Sequence, residues 1–352
     1  MNNRVKNILL RLKKEGLDGL IVSSEHNISY LTGTRSRDAY LIISSKGNIY
    51  LTDARYSEEL KKKLKGFSLH KIDTPVFKII AAILEELGLK RVGFEDTHLS
   101  FSQHQRLIQS RPAKIKLLPT QGLVEDLRLI KEPQELAKIR RATSIAIQSL
   151  RHIQRFIRPG KKEIEIAAEL EHFIRYQGGY SSSFEIIVAS GPNSSFPHHL
   201  TSMRRLRDNE PVLIDMGVDY LGYKSDLTRI FFLGKIKPLV REIYDIVLAA
   251  QGRALQKIKP TVIINKIDQA ARQYIAQKGY GGFFSHNLGH GIGLEVHENP
   301  RISSRQDIRL RPGMVFTIEP AIYLAYKFGI RLEDMVLVTE KGVESLSGAL
   351  NK

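Results

Sequence analysis

The residues of this chain best suited to chemistry are acidic and lie in apolar surroundings. Val212-Leu-Ile-Asp-Met-Gly-Val-Asp-Tyr-Leu-Gly-Tyr-Lys-Ser-Asp-Leu-Thr-Arg-Ile-Phe-Phe232 reads as a hairpin. With its turn at Asp219–Gly222, Asp215 is expected opposite Asp226, Cβ atoms about 5 Å apart. Like charges at that separation repel, so one carboxylate is protonated or cations lie between them. A pair of divalent metal ions resolves the conflict. Met314-Val-Phe-Thr-Ile-Glu-Pro-Ala-Ile-Tyr323 puts Glu319 inside an apolar strand, and Gly329-Ile-Arg-Leu-Glu-Asp-Met-Val-Leu-Val-Thr339 does the same to Glu333. An isolated carboxylate in either place would be costly. His290 is the fifth donor, in Ser285-His-Asn-Leu-Gly-His-Gly-Ile-Gly-Leu-Glu-Val-His-Glu298, where glycines let backbone approach a crowded centre. Four carboxylates and one imidazole suit two divalent ions in oxygen-rich coordination, with four negative charges balancing four positive ones. A bridging hydroxide is then the natural nucleophile.

These segments resemble the pita-bread metallopeptidases, which include methionine aminopeptidase, aminopeptidase P and prolidase. The likeness covers about residues 123–352 through five segments in family order, and residues 1–122 look like the N-terminal domain of prolidase and creatinase relatives. The resemblance implies that Asp215 binds one metal ion, that Asp226 and Glu333 bridge both, and that His290 and Glu319 complete the second. Ser190-Gly-Pro-Asn-Ser-Ser-Phe-Pro-His-His199 is similar to the stretch whose histidine, directly after the proline, faces substrate. That selects His198 over its neighbour His199. His297 matches the histidine that contacts the scissile peptide group, where a donor stabilises the tetrahedral oxyanion. Glu319 is expected to shuttle the water proton toward the leaving nitrogen. Arg301 resembles the arginine by which prolidase-like members hold a substrate carboxylate, and His286 is expected at the pocket wall rather than on metal.

The implied activity is hydrolysis of the Xaa-Pro bond in short peptides. Arg301 tilts the reading toward Xaa-Pro dipeptidase, with an Xaa-Pro aminopeptidase acting on longer peptides as the alternative. Relatives of this fold that serve as binding modules, or that act on a small C–N bond without metal, lose metal ligands; here the full set stands. Mn²⁺ or Co²⁺ is the expected cofactor, and Zn²⁺ and Fe²⁺ accept the same ligands. The resemblance also implies a homodimer.

Placing these side chains requires a sizeable scaffold, and 352 residues suffice for two domains. The absence of cysteine excludes a disulfide framework, a thiol nucleophile and a thiolate zinc site. Met1–Glu15 is charged throughout and no run approaches the ~18 apolar residues of a membrane span, so a cytoplasmic protein without membrane partners is expected. The net charge of +17 is spread along the chain, 21 Lys+Arg against 12 Asp+Glu in residues 1–122 and 33 against 25 in the rest. Its densest run, Lys61, Lys62, Lys63 and Lys65, is interspersed with Glu58, Glu59 and Leu64 on a helix expected to begin near Arg55. This reads as a solvated face. With no Trp and no interleaved aromatics, no nucleic-acid partner is expected.

Val5, Ile8, Leu9 and Leu12 fall at helical spacing, and β-rich runs follow at Gly19–Ser24, Tyr40–Ser45 and Asn48–Asp53. Helices at Val76–Leu87 and Phe101–Ser110 flank a strand at Arg91–Phe94, giving an α/β domain over 1–122. The second domain, 123–352, opens with a helix that has Pro133 in its first turn and stops before Pro159-Gly160. A helix from Lys162 to about Tyr176, a strand at Phe184–Ala189, a strand pair around Gly222, two helices between Pro238 and Lys278 and a strand-rich end complete it. Helices followed by antiparallel strands indicate an α+β class. Gly279-Tyr-Gly-Gly follows a helix, lacks the strand-to-helix setting of a dinucleotide site, and reads as a loop.

Overall fold

The computed structural model describes residues 3–350. The chain forms two compact units, Met1–Arg128 and Leu129–Lys352. In the first, six strands make one mixed sheet in the order Ser68–Lys71, Gly47–Thr52, Tyr40–Ser44, Gly19–Val22, Arg91–Glu95, Lys116–Thr120. The tight turn from Tyr40–Ser44 to Gly47–Thr52 gives an antiparallel pair, Gly19–Val22 runs antiparallel to Tyr40–Ser44 across a connection that holds the helix Glu25–Thr32, and the remaining pairs are parallel. Ile21, Ile42, Leu51 and Val92 pack with Phe77, Ile80 and Leu84 of the helix Val76–Glu86. The helix Asn3–Lys14 buries Val5, Ile8 and Leu12 and leaves its charged face outward. The lysine run sits on Ala54–Lys63, where Lys61 and Lys63 pair with Glu58 and Glu59 on an exposed surface.

Among the described residues of the second unit every strand pairing is antiparallel. Ile187–Ser190, Glu210–Met216 and Leu227–Leu233 form one sheet, with Glu210–Met216 in the middle. Glu298–Ile302, Gly289–Gly291, Val315–Ile318, Asp334–Thr339 and Gly342–Ser345 form another, and Ala321–Leu324 pairs with Phe328–Arg331 as a separate hairpin. The helices Pro238–Lys257 and Ile264–Gln277 supply Ile243, Val247, Ile267 and Ala271 to a core shared with Phe316, Ile318, Ile330 and Val336. Pro133–Ile153 and Glu163–Tyr176 are the remaining long helices of this unit. Among the described residues no helix is long and apolar enough to cross a membrane.

Three local expectations need correction. The strand expected at Phe184–Ala189 begins at Ile187 and runs to Ser190. In the central hairpin Tyr220 pairs with Tyr223, leaving Leu221 and Gly222 as a two-residue turn with φ of 51° and 88°. Two positive φ values are what a type I′ turn requires. The register is therefore shifted by two, and Asp215 faces Thr228 rather than Asp226. Because strand side chains alternate with period two, this shift changes the partner of Asp215 but not its face. Finally, Glu319 and Glu333 do not lie within strands. They lie in the breaks between Val315–Ile318 and Ala321–Leu324, and between Phe328–Arg331 and Asp334–Thr339.

Candidate metal centre

Those breaks position the two glutamates. Ile318 pairs with Asp334 at the end of a ladder, so the residues just beyond it, Glu319 and Glu333, emerge side by side where the chain leaves the sheet and where it returns. The backbone at each break is held from both sides. Glu319 N donates to Leu288 O (2.8 Å) and Glu333 N to Thr228 O (3.3 Å). The fully buried Gln251 donates from Nε2 to Ile318 O (2.9 Å) and Leu332 O (3.1 Å), the carbonyls directly preceding the two glutamates. His290 arrives on the short strand Gly289–Gly291, whose register shifts after His290. A Cβ at Gly289 would lie 2.0 Å from Thr317 O, so only glycine permits this approach.

His290 Nε2 lies 3.4 Å from Glu319 Oε1 and 3.6 Å from Asp226 Oδ2. Asp226, His290 and Glu333 each offer a donor atom within 4.8 Å of the others. Asp215 completes the group: its charge acts on Asp226, Glu319 and Glu333. Its Oδ2 accepts from Arg331 Nη2 at 2.6 Å. Glu333 Oε2 accepts from Thr228 Oγ1 (2.8 Å), and Glu319 Oε1 from Thr317 Oγ1 (3.2 Å). One oxygen of each of three carboxylates is left over. Asp215 Oδ1, Asp226 Oδ1 and Glu333 Oε1 are buried with no hydrogen-bond partner.

The protonation states follow from that crowding. Burial, then the neighbouring carboxylates, hold Asp226 and Glu333 well above the usual carboxylate range. Burial pushes Glu319 up to about 8. Burial also lowers His290 to about 4, leaving a neutral imidazole. A carbonyl can only accept, so His290 Nδ1 donates to Gly291 O (3.2 Å) and the Nε2 lone pair faces the carboxylates. Orphaned buried oxygens beside a neutral, correctly oriented imidazole fit divalent cations, which replace protons on such ligands.

The other expected site residues form a histidine-rich rim. The ring of His297 packs edge-on against His290, centroids 4.3 Å apart. Burial, then the charge of His198, lowers its pKa, and Arg301 adds to the effect. Arg301 is exposed and sits opposite His290 in the strand register. His198 also acts on His286, so it lies toward both ring systems. His286 Nδ1 donates to Asn287 O (2.7 Å), and its Nε2 lies 3.2 Å from Tyr323 Oη. Both ring nitrogens of His286 are thus engaged within the protein. His199 turns away altogether, its Nε2 3.0 Å from the buried carboxylate of Glu163.

Sequence reasoning missed Arg331 and Tyr323. Arg331 is buried and donates to Asp215, Tyr323 Oη (2.7 Å), Thr228 Oγ1 (3.1 Å) and Pro197 O (3.3 Å). The signal was present: Arg331 is a cation in an apolar run, two positions before Glu333. Tyr323, pushed up to about 12 by burial, links Arg331 to His286.

Residues 137–340 match metallopeptidase family M24, and residues 4–130 match the creatinase/prolidase N-terminal domain. An Xaa-Pro dipeptidase of Pyrococcus horikoshii is 35% identical over 351 residues, covering 99% of this chain and 97% of its own. Among solved structures, an Xaa-Pro dipeptidase from Bacillus anthracis is 38% identical with a TM-score of 0.95, covering 98% of this chain and 97% of that one. An X-Pro aminopeptidase from Thermotoga maritima is 34% identical with a TM-score of 0.90, at the same coverage of both chains.

Proposed function

The chain belongs to metallopeptidase family M24, and from that premise we propose that it is an Xaa-Pro dipeptidase using two divalent ions held by Asp215, Asp226, His290, Glu319 and Glu333. Its fold is the two-domain pita-bread, prolidase-like architecture. The observation that carries the proposal is the convergence of four carboxylates on one neutral imidazole with three oxygens left unpartnered. Asp226, Glu333 and His290, whose donor atoms lie within 4.8 Å of one another, would hold the ions together with Asp215 and Glu319. When bound, the ions supply Lewis acidity and activate water at neutral pH.

The protein's own groups supply the rest. Arg331 fixes Asp215 through Oδ2, leaving Oδ1 available. Glu319 receives a proton from the attacking water and passes it to the departing prolyl nitrogen. His297 donates to the carbonyl oxygen as charge develops there, and His198 contacts the substrate from the facing loop. Arg301 is exposed and donates no hydrogen bond to the described protein, so its planar fork is available for the carboxylate of a dipeptide. The proposed substrates are short proline-containing peptides, the proposed ions Mn²⁺ or Co²⁺, and the proposed form a cytoplasmic homodimer.

The X-Pro aminopeptidase neighbour supports a second reading in which longer Xaa-Pro peptides are cleaved. The deciding experiment loads the apo-protein with each of Mn²⁺, Co²⁺, Zn²⁺ and Fe²⁺. It then compares kcat/KM for an Xaa-Pro dipeptide and its amidated or extended analogue, in wild type and Arg301→Ala. A loss of roughly 1.5–3 kcal/mol confined to the dipeptide supports carboxylate recognition by Arg301. Equal losses on both substrates make the aminopeptidase the better reading.

A further inference from the structure

Away from the metal centre, Glu163, at the start of the helix Glu163–Tyr176, is a wholly buried and heavily bonded carboxylate. All of its hydrogen-bond donors come from a single stretch, residues 190–202. Oε1 accepts from Ser190 N (2.7 Å), Ser190 Oγ (2.7 Å) and Asn193 Nδ2 (3.0 Å). Oε2 accepts from Ser202 Oγ (2.6 Å), Ser202 N (3.2 Å), Asn193 Nδ2 (3.1 Å) and His199 Nε2 (3.0 Å). Burial alone would raise this carboxyl, yet the bonds from Ser202, Ser190 and His199 carry it below the usual glutamate range. The two ends of the loop, Ser190 and Ser202, are thus tied to one side chain.

Between those ends lies His198, flanked by two fixed points. On one side, Pro197 O accepts from Arg331, the same guanidinium that holds Asp215. On the other, the His199 ring is seated on Glu163. Two adjacent histidines on a loop can exchange places by a modest change of backbone torsion. Seating one on a buried anion leaves the other directed at the centre, where its charge acts on His286 and His297.

We propose that Glu163, acting through His199, is a positioning residue that sets which of the two loop histidines faces the substrate. The inference rests on the reading of His198 as a substrate-side group. Glu163 touches neither substrate nor metal, so its effect must pass through His198. Two oxygens surrounded only by donors also define what the position accepts: Glu163→Gln turns an acceptor into a donor facing N–H and O–H groups. His199→Ala is milder, because Glu163 keeps its bonds from Ser190, Asn193 and Ser202.

The experiment uses the full chain loaded with Zn²⁺, whose closed d shell does not broaden nearby resonances, and labels all 11 histidines with ¹³C at Cε1. In wild type and His199→Ala, the His198 Cε1–H resonance is compared, together with kcat and KM on an Xaa-Pro dipeptide. The expected result is a split or broadened His198 signal and a kcat lower by roughly 10–100-fold, the range for residues that orient a primary group, with the bound metal count unchanged. In a His198→Ala background, adding His199→Ala should change kcat by less than about twofold, because the path of the effect has been removed. An unchanged His198 resonance in His199→Ala, or the same kcat loss with and without His198, overturns the proposal. If the wild type cleaves no Xaa-Pro peptide, the reading of the activity fails while the resonance still decides the positioning claim.

Discussion

Replacing Arg331 with methionine tests the electrostatics of the centre without reference to any substrate. The Arg331 and Asp215 side chains are 4% and 13% exposed and meet at 2.6 Å, in a pocket that already holds Asp226, Glu319 and Glu333. Methionine fills most of the volume but strands Asp215 Oδ2 and forfeits the donations to Tyr323, Thr228 and Pro197. Removing one member of a buried ion pair costs about 3–5 kcal/mol, largely because the other charge stays behind. For a unit the size of 129–352, each kcal/mol moves Tm by about 2–4 °C, so the expected fall is roughly 6–20 °C. The assay is thermal unfolding in excess chelator, with Asp215→Asn and the double variant completing a cycle. The neutral asparagine needs no counter-charge, so Arg331→Met should cost less in that background, by at least ~1.5 kcal/mol. A fall under about 3 °C, or equal losses in both backgrounds, would refute the assignment of Arg331 as the counter-ion of Asp215.

Asp226→Asn and Glu333→Gln should each abolish peptidase activity and lower the bound metal count, measured by elemental analysis after dialysis; wild-type turnover with either variant would remove it from the proposed ligand set. His198→Ala and His297→Ala should keep the full metal count while kcat falls roughly 10²-fold or more, and loss of metal would move the residue concerned onto the ions. Because burial lifts Glu319 to about 8 in the metal-free protein, with Asp226 and Glu333 raised in the same direction, the apo-form should lose stability as pH rises from the ordinary carboxylate range through about 8. Metal affinity should climb over the same interval, because each ligand must release its proton, and then level off. Calorimetric titration in buffers of differing ionisation enthalpy reads the proton release directly, and a pH-independent affinity between 6 and about 8 would contradict it.

The sequence carried the chemistry further than the geometry. Residue type and apolar context single out Asp215, Asp226, His290, Glu319 and Glu333, because an acid in such a setting needs a compensating partner whatever the details of the fold. Local propensity likewise places the helices, since Val5-Ile8-Leu12 and Pro133 act through neighbours a few residues away. Register is different. A hairpin slides by two residues without altering its pattern of buried and exposed side chains, so alternation could not tell a turn at Asp219–Gly222 from one centred on Leu221-Gly222. The strand breaks at Glu319 and Glu333 were hidden for a related reason: their flanks are continuous apolar runs, and the partner that holds them open, Gln251, lies on a helix far away in sequence. Arg331 was on the page but could be read only once its face was known.

The placement of the breaks explains why one stretch of chain can build so much of the centre. Between Glu319 and Glu333 the backbone leaves the five-stranded sheet, forms the hairpin Ala321–Leu324 with Phe328–Arg331, and returns. The excursion delivers two carboxylates at its feet and, within the hairpin, Tyr323 and Arg331, which reach Asp215 and His286. It is pinned to the His198 loop by Gly329 N donating to Ser194 Oγ (2.9 Å). A Cβ at Gly329 would lie 2.2 Å from Ser194 O, so the closeness of the two segments depends on that glycine. Arg331 also changes the charge balance. Four carboxylates would cancel the two proposed divalent ions, and the buried guanidinium would leave one positive charge in excess, which a bound hydroxide nucleophile would offset. Fixed before substrate arrives, the Arg331 charge favours negative charge first on the nucleophile and then on the peptide carbonyl oxygen under attack. Arg331 thus orients Asp215, one of the proposed metal ligands, and places a fixed positive charge beside the site where that negative charge moves.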